Sequence, residues 1–299
     1  MTTLRQLRYL DALARTGHFG HAADEVSVTQ PALSMQIKEL EEALGVPLVE
    51  RLPRGARLTP DGVEIAARAR RILEDVRDLE AVAQSRAGLL AGTLRLGVIP
   101  SVAPYLLPRL LATLSRQYPD LDLHINETQT ARLVEMLLAG GLDLLLLALP
   151  IPTPGVATRP LFDDPFLLAA PTTAPETADP YDLLAREPIL LLEDGHCLRD
   201  QALSFCAERA AGGVDPYGAS TLATVIQMVA AGLGVTLLPQ MAASVETGRA
   251  AAIRLQRFPL PEPARSIGLA WRETSPRAAD FAAFGDAVLS SAAPDIAGD

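Results

Sequence analysis

A chain of 299 residues with 49% hydrophobic content has the length for two packed domains and excludes a disordered polypeptide. Its 26 basic and 36 acidic residues leave a formal charge of −10, which argues against binding nucleic acid over the whole surface. The opening MTTLRQLRYL has no apolar run after a basic start, and the most apolar internal stretch, residues 142–149, is far too short to cross a bilayer. A cytoplasmic protein without a membrane partner is expected.

The charge is unevenly spread. Residues 1–86 hold 12 basic and 13 acidic side chains, a net of −1, and the other 14 basic and 23 acidic residues carry −9. A near-neutral head on an acidic body is compatible with DNA binding through one localised face.

In chain order, the first elements are all helices. Leu4, Leu7, Leu10 and Leu13 recur at helical spacing, and Gly17 ends that helix. A short second helix follows, with Ala22, Ala23 and Val26 as its apolar positions. Ser27 or Thr29 caps a third, which carries Pro31 in its first turn, where proline is tolerated. Leu33, Ile37, Leu40 and Leu44 give this helix one buried stripe, and Gly45 terminates it. Residues 48–59 hold Pro53-Arg54-Gly55 between two short runs and predict a hairpin. Thr59-Pro60 then opens a long helix with few breakers before Gly88. On it Ile65, Ala69, Ile72, Val76, Leu79 and Ala83 alternate steps of four and three, a heptad seam that points to dimerisation. The alternative is one amphipathic helix packed on its own domain, since Ala69 and Ala83 weaken the seam.

Beyond Gly92 the pattern changes. Strands are expected at 93–99, 121–127, 142–149, 166–170, 189–192 and 235–238, and helices at 106–118, 130–139, 198–211 and 222–231. Short buried strands separated by helices imply a parallel sheet in an α/β domain of two Rossmann-like lobes, with a cleft at the strand C-terminal ends. The expected division is a winged helix-turn-helix over 1–58, a linker and dimerisation helix over 59–88, and a two-lobed effector domain over 89–299.

The outward residues of the third helix are Gln30, Pro31, Ser34, Met35 and Lys38. Gln, Ser and Lys side chains read base edges or phosphates, and a proline ring can touch a thymine methyl. Arg51, Arg54 and Arg57 on the hairpin are placed for phosphates or the minor groove. By composition alone such a helix is an ordinary surface helix. However, Ala22-Ala23, Val28-Thr29-Gln30-Pro31-Ala32-Leu33-Ser34, Ile37-Lys38-Glu39-Leu40-Glu41 and Leu44-Gly45-Val46-Pro47-Leu48, continued by Arg51 and Leu58-Thr59-Pro60-Asp61-Gly62, resemble the signature of LysR-type transcription regulators. The resemblance implies a periplasmic-binding-protein-like effector domain and no enzymatic activity. It also implies double-stranded DNA and RNA polymerase as partners, and a homodimer or homotetramer built as a dimer of dimers.

Only two cysteines are present, and a reducing compartment argues against a permanent structural disulfide. Asp194-Gly195 forms a turn after the strand at 189–192, which puts Cys197 near the start of the next helix. A thiolate there gains from the helix N-terminal field and from neighbouring His196 and Arg199, and only the thiolate attacks peroxide. Taken alone, an arbitrary pair of cysteines on a core helix is inert. The window from Asp194 to Cys206 resembles the hydrogen-peroxide sensors of the LysR family. That resemblance implies Cys197 as the peroxidatic cysteine and Cys206 as the resolving one, with Ser101, Thr130 and His196 in the peroxide pocket. It further implies hydrogen peroxide and a cellular thiol reductant as partners. Two departures are a serine at 101, where such sensors usually carry threonine, and Ala223, where an acid is expected.

Rival readings are a LysR regulator switched by an organic acid in the cleft, which needs neither cysteine, and a thiol peroxidase, which needs no DNA-reading head. No metal-ligand spacing, nucleotide loop or serine triad is evident, so no cofactor is expected, and His18, His21 and His124 read as surface or satisfied residues.

Overall fold

The computed structural model describes residues 1–52, 55–85, 88–175, 179–208, 214–249 and 252–296, which form two compact units, Met1–Ala83 and Gln84–Asp299. The first unit runs α1 (Leu4–Thr16), α2 (Phe19–Glu25), α3 (Gln30–Leu44), β1 (Val49–Leu52), β2 (Gly55–Leu58) and α4, which continues through Pro60–Ser85. A capping box between Thr3 and Gln6 opens α1, and Gly17, in the left-handed region, closes it. The apolar stripes predicted for α1 and α3 are the core: Leu10, Leu13, Leu33, Ile37 and Leu40 are fully buried. Leu4 and Leu44, at the outer ends of those stripes, are exposed. Ser27 takes a left-handed turn, so Thr29 occupies the capping position of α3.

The hairpin is present, β1 pairing antiparallel with β2 from Val49↔Leu58 to Leu52↔Gly55. Thr59 stitches it to α4. Its hydroxyl accepts from the Gly62 N–H at 2.9 Å and donates to the Pro47 carbonyl at 2.7 Å. A Cβ at Gly62 would lie 2.0 Å from the Leu48 carbonyl oxygen, so only glycine permits this approach. The heptad seam on α4 is used differently from its expected role at Ala69, which is buried with Leu7 and Leu73 inside its own unit. Ile72 and Leu79 of that seam are exposed, and the Ala83 side chain lies outside the described residues.

The second unit contains β3 (Gly92–Val98), α5 (Ala103–Gln117), β4 (Leu121–Glu127), α6 (Thr130–Leu138), β5 (Leu144–Leu149) and β6 (Val156–Pro171). There follow α7 (Pro180–Arg186), β7 (Ile189–Leu192), α8 (Cys197–Glu208), β8 (Val214–Ala219), α9 (Leu222–Ala230) and β9 (Thr236–Pro239). The last elements are α10 (Gln240–Arg249), β10 (Ile253–Arg257), β11 (Ala264–Arg272) and α11 (Ala278–Ile296). Each of two lobes is an α/β layer structure. In the first, β4, β3 and β5 are parallel neighbours, and β11 then lies antiparallel between β5 and β6. In the second, the far half of β6 pairs antiparallel with β9 and β10, and β7 pairs parallel with β8. The purely parallel sheet expected from sequence is therefore corrected to a mixed one. The physical reason is β11, which returns from the second lobe into the first against the run of its neighbours. β5 shows why the core is where it is: all six of its residues are buried, as befits a strand covered on both faces.

Candidate functional sites: a DNA-reading face and a thiol recess

In the first unit, Gln30 and Pro31 open α3, and both are exposed with Met35 and Lys38; Ser34 is half-buried. Lys38 faces Glu42 at 3.6 Å, an exposed pair of little energetic weight. The wing arginines are not equivalent. Arg51 Nη2 donates to Ser34 Oγ at 2.7 Å, and the guanidinium lies 5.0 Å over the Phe19 ring. A serine that accepts from a cation keeps its own proton for donation elsewhere. Arg57 donates twice to Glu50 Oε2, which raises its already high pKa and engages it away from phosphates. Arg54 lies outside the described residues. His18 accepts the Gly20 N–H at 3.0 Å to cap α2, and His124 sits 3.0 Å from Asp122. The bonds from His124 and Thr93 hold the Asp122 carboxyl below its usual range.

In the second unit, Ser101, Thr130, His196 and Cys197 line one recess with Ile99, Pro100, Gln129 and Leu198. The recess is small and partly open to solvent. Each member is held by a short piece of local chemistry. Ser101 follows β3 and is buried. Thr130 is the first residue of α6. Gly195 has φ +93°, and a Cβ there would lie 2.6 Å from the Gln129 side chain; glycine lets the turn before α8 close down on the start of α6. The buried His196 supplies its carbonyl to the Arg199 N–H at 2.9 Å, closing the first turn of α8 over Cys197. Cys197 is a half-buried free thiol at the N-terminal end of this 12-residue helix. Arg199 is turned to the loop. Its Nη1 donates to the Leu192 carbonyl at 2.9 Å and its Nε pairs with Asp194 at 2.9 Å. It braces the strand-to-helix turn, whereas sequence reasoning placed it at the thiol.

The two hydroxyls are set unequally. Ser101 Oγ accepts from Arg265 Nη1 at 2.7 Å, and the Ser101 carbonyl accepts from Nη2 at 2.9 Å. Arg265 is in turn held by Asp164 Oδ2 at 2.9 Å, with both side chains essentially inaccessible. The Ser101 proton is thus free to be donated forward, strengthened by the cation behind it. Thr130 Oγ1 is buried and has no hydrogen-bond partner. A buried hydroxyl left unpaired costs about 1–3 kcal/mol, and this one belongs to a residue that lines the same recess as the thiol. The arrangement puts a thiol at the N-terminal end of a helix and two hydroxyl side chains in the lining of one recess. Arg265 and Asp164 were missed from sequence, where nothing marks two residues 101 positions apart as a pair; they are cross-strand neighbours of β11 and β6. Ala223 lines the adjoining cleft between the lobes, where the buried carboxylate is instead Glu246, bonded by the Tyr105 hydroxyl at 2.9 Å. Among the described residues no helix is long and apolar enough to cross a membrane, and no group of three or more His, Cys, Asp or Glu could hold a metal.

A winged helix-turn-helix followed by a two-lobed α/β domain with a site of its own defines a DNA-binding regulator with a sensing domain. The family model for the bacterial regulatory helix-turn-helix protein, lysR family, matches residues 4–63, and that for the LysR substrate binding domain matches residues 87–293. The chain belongs to the LysR family of transcription regulators. Within that family it is similar to OxyR. It is 46% identical over 283 residues to a probable hydrogen peroxide-inducible genes activator of Streptomyces viridosporus, covering 93% of this chain and 91% of that protein. The structure of a full-length OxyR variant from Pseudomonas aeruginosa matches with a TM-score of 0.78 at 38% identity, over 96% of this chain and 95% of that one. A hydrogen-peroxide-bound OxyR mutant of Corynebacterium glutamicum matches with a TM-score of 0.69 at 35% identity, over 99% and 94% of the two chains.

Proposed function

We propose that this protein is a peroxide-responsive transcription regulator switched by reversible oxidation of Cys197 and disulfide formation with Cys206. The observation that carries the reading is that Ser101, Thr130 and His196 line one recess with Cys197 at the start of α8. The Cys197 thiolate attacks one peroxide oxygen; the S–O bond forms as the O–O bond breaks, leaving a sulfenic acid and a hydroxide. Ser101 and Thr130 orient the peroxide and donate to the departing oxygen, which takes up a proton to become water. Cys206 then attacks the sulfenic sulfur. The S–S bond forms, the S–O bond breaks, and the hydroxyl leaves as a second water with the Cys206 proton. A cellular thiol reductant resets the pair.

The signal follows from length. Both cysteines belong to α8, nine positions apart, which on a helix is about 13.5 Å along the axis, whereas a disulfide needs Cα atoms within about 7 Å. Oxidation must therefore unwind α8 and change the surface through which effector domains pair. The DNA-binding domain (1–58) reads base edges with Gln30, Pro31, Ser34, Met35 and Lys38 and phosphates with Arg51 and Arg54; the helix over 59–88 pairs two copies. The effector domain (89–299) sets the geometry of a homodimer or homotetramer that activates RNA polymerase in the cytoplasm.

The test is Cys197→Ser in the full chain, with DNA footprints and thiol mass spectrometry before and after a peroxide pulse. The variant is expected to bind DNA with an unchanged footprint before and after the pulse. A normal peroxide-dependent change in that variant would remove Cys197 from the mechanism.

A further inference from the structure

The helix α8 is attached to the protein at two ends by unlike means. Its N-terminal end is anchored by Leu198 and Ala202, buried in the core, and by Arg199 on the Leu192 carbonyl and Asp194. Its C-terminal end is held through Phe205, one residue before Cys206. The Phe205 ring stands edge-on to Phe258, with centroids 5.5 Å apart at 74°, and tilted against Tyr181 at 6.0 Å. Tyr181 and Phe258 close the triangle at 5.0 Å. Tyr181 belongs to α7, and Phe258, buried, directly follows β10, which is paired to β6. Both partners therefore stand on elements other than α8, while Phe205 rides on the helix. Between the two attachments, Ala202 is buried and Gln201 Oε1 is buried without a hydrogen-bond partner.

The chemistry treats the two ends differently. Cys197 has to stay in its recess to be oxidised, whereas Cys206 has to leave its helical position to reach the sulfenic sulfur. From this we infer that Tyr181 and Phe258 are positioning residues: they clasp Phe205, hold the Cys206 end of α8 in the reduced form, and so set how readily sulfenate becomes disulfide. The inference rests on the roles of Cys197 and Cys206 proposed above. The step it controls is the second one, in which Cys206 sulfur bonds to Cys197 sulfur as hydroxyl departs from Cys197 and leaves as water with the Cys206 proton. Hydrogen peroxide, consumed in the first step, is the oxidant for both.

The experiment follows the two steps separately in the full chain. Sulfenate formation at Cys197 is measured by rapid quench with a 1,3-dione trap in a Cys206→Ser background; disulfide formation is measured by thiol mass spectrometry with Cys206 present. Phe205→Leu keeps the apolar bulk and removes both ring contacts. It should form the disulfide about tenfold to a hundredfold faster, since each of the two aromatic pairs supplies about threefold to tenfold, with sulfenate formation unchanged. Its disulfide should also be harder for dithiothreitol to reduce by a similar factor, because the reduced helix has lost a contact that the oxidised form never had. Tyr181→Leu should act alike from the opposite side, which covers the case of a poorly folded Phe205→Leu. Tyr181→Phe, which keeps the ring, should behave as the parent. Disulfide formation that is unchanged or slower in both leucine variants, with sulfenate formed normally, would overturn the clasp alone. Absence of any Cys197 sulfenate in the Cys206→Ser background would overturn the proposed function, and the clasp with it.

Discussion

Thr130→Val separates stability from reactivity, because the two respond to the same hydroxyl with opposite signs. Thr130 Oγ1 is buried without a partner in the recess that holds Cys197. Valine keeps the β-branched shape, and with it the helix propensity at the start of α6, while replacing the unpaired hydroxyl by a methyl group. Removal of an unsatisfied buried polar group returns part of its desolvation penalty, about 1–2 kcal/mol. For a unit the size of Gln84–Asp299 that corresponds to roughly 2–8 °C in the midpoint of its thermal transition. Reactivity should fall instead. Loss of one pre-aimed donor at a site of developing negative charge slows such reactions by about 10²-fold or more, and the departing peroxide oxygen is such a site. Calorimetry of the reduced full chain gives the first quantity, and rapid-quench loss of the Cys197 thiol against peroxide concentration gives the second. A variant less stable than the parent would mean that the hydroxyl has a partner in the folded protein. A variant that reacts at the parent rate would mean that Thr130 does not touch the peroxide. Either result would refute the reasoning.

The buried ion pair behind Ser101 makes the reverse prediction: Arg265→Met strands Asp164 and should cost about 3–5 kcal/mol in denaturant unfolding while slowing the peroxide reaction, whereas adding Asp164→Leu should recover much of the stability and none of the rate. A loss under about 1 kcal/mol for the single change would show the pair to be solvated in solution. On the DNA side, Arg51→Ala releases the Ser34 hydroxyl and should blur discrimination at one base pair, whereas Arg54→Ala should weaken all sites alike and lower the salt slope by about one. Binding of a panel of single-base variants at several salt concentrations distinguishes the two, and a uniform loss for Arg51→Ala would make it a plain phosphate contact.

The head was legible because its signals are local. Leu33, Ile37 and Leu40 repeat at helical spacing, Gly45 stops the helix in a left-handed turn, and Thr59-Pro60-Asp61-Gly62 spells out a cap whose bonds are present as hydrogen bonds. In the second unit the doubly covered strands β5 and β7 stood out as apolar runs. Most of β6 and all of β11 did not. Pro160, Asp163, Asp164 and Pro165 interrupt β6, and β11 carries Arg265 and Arg272, so neither shows a clean period of two. Those charges are tolerated because they meet partners far away in sequence: Arg265 on Asp164, and Arg272 on the carbonyls of Leu137 and Leu142. A buried charge looks like surface until its partner is known. The same blindness explains Arg199, whose neighbour in sequence is the thiol but whose neighbours in space are Leu192 and Asp194, and the Tyr181–Phe205–Phe258 triangle, drawn from three separate stretches.

The long strand β6 has a mechanical consequence. Its 16 residues run through both lobes, laddered to β11 over the first part, with a bulge opposite Ile267 and Gly268, and to β9 and β10 over the last. A single beam that floors two rooms ties them together, and a wide opening of the lobes would disturb the pairing on one side. If Cys197 and Cys206 join as proposed, the displacement is expected to fall on α8 more than on the paired strands, which would concentrate the change of shape in that helix.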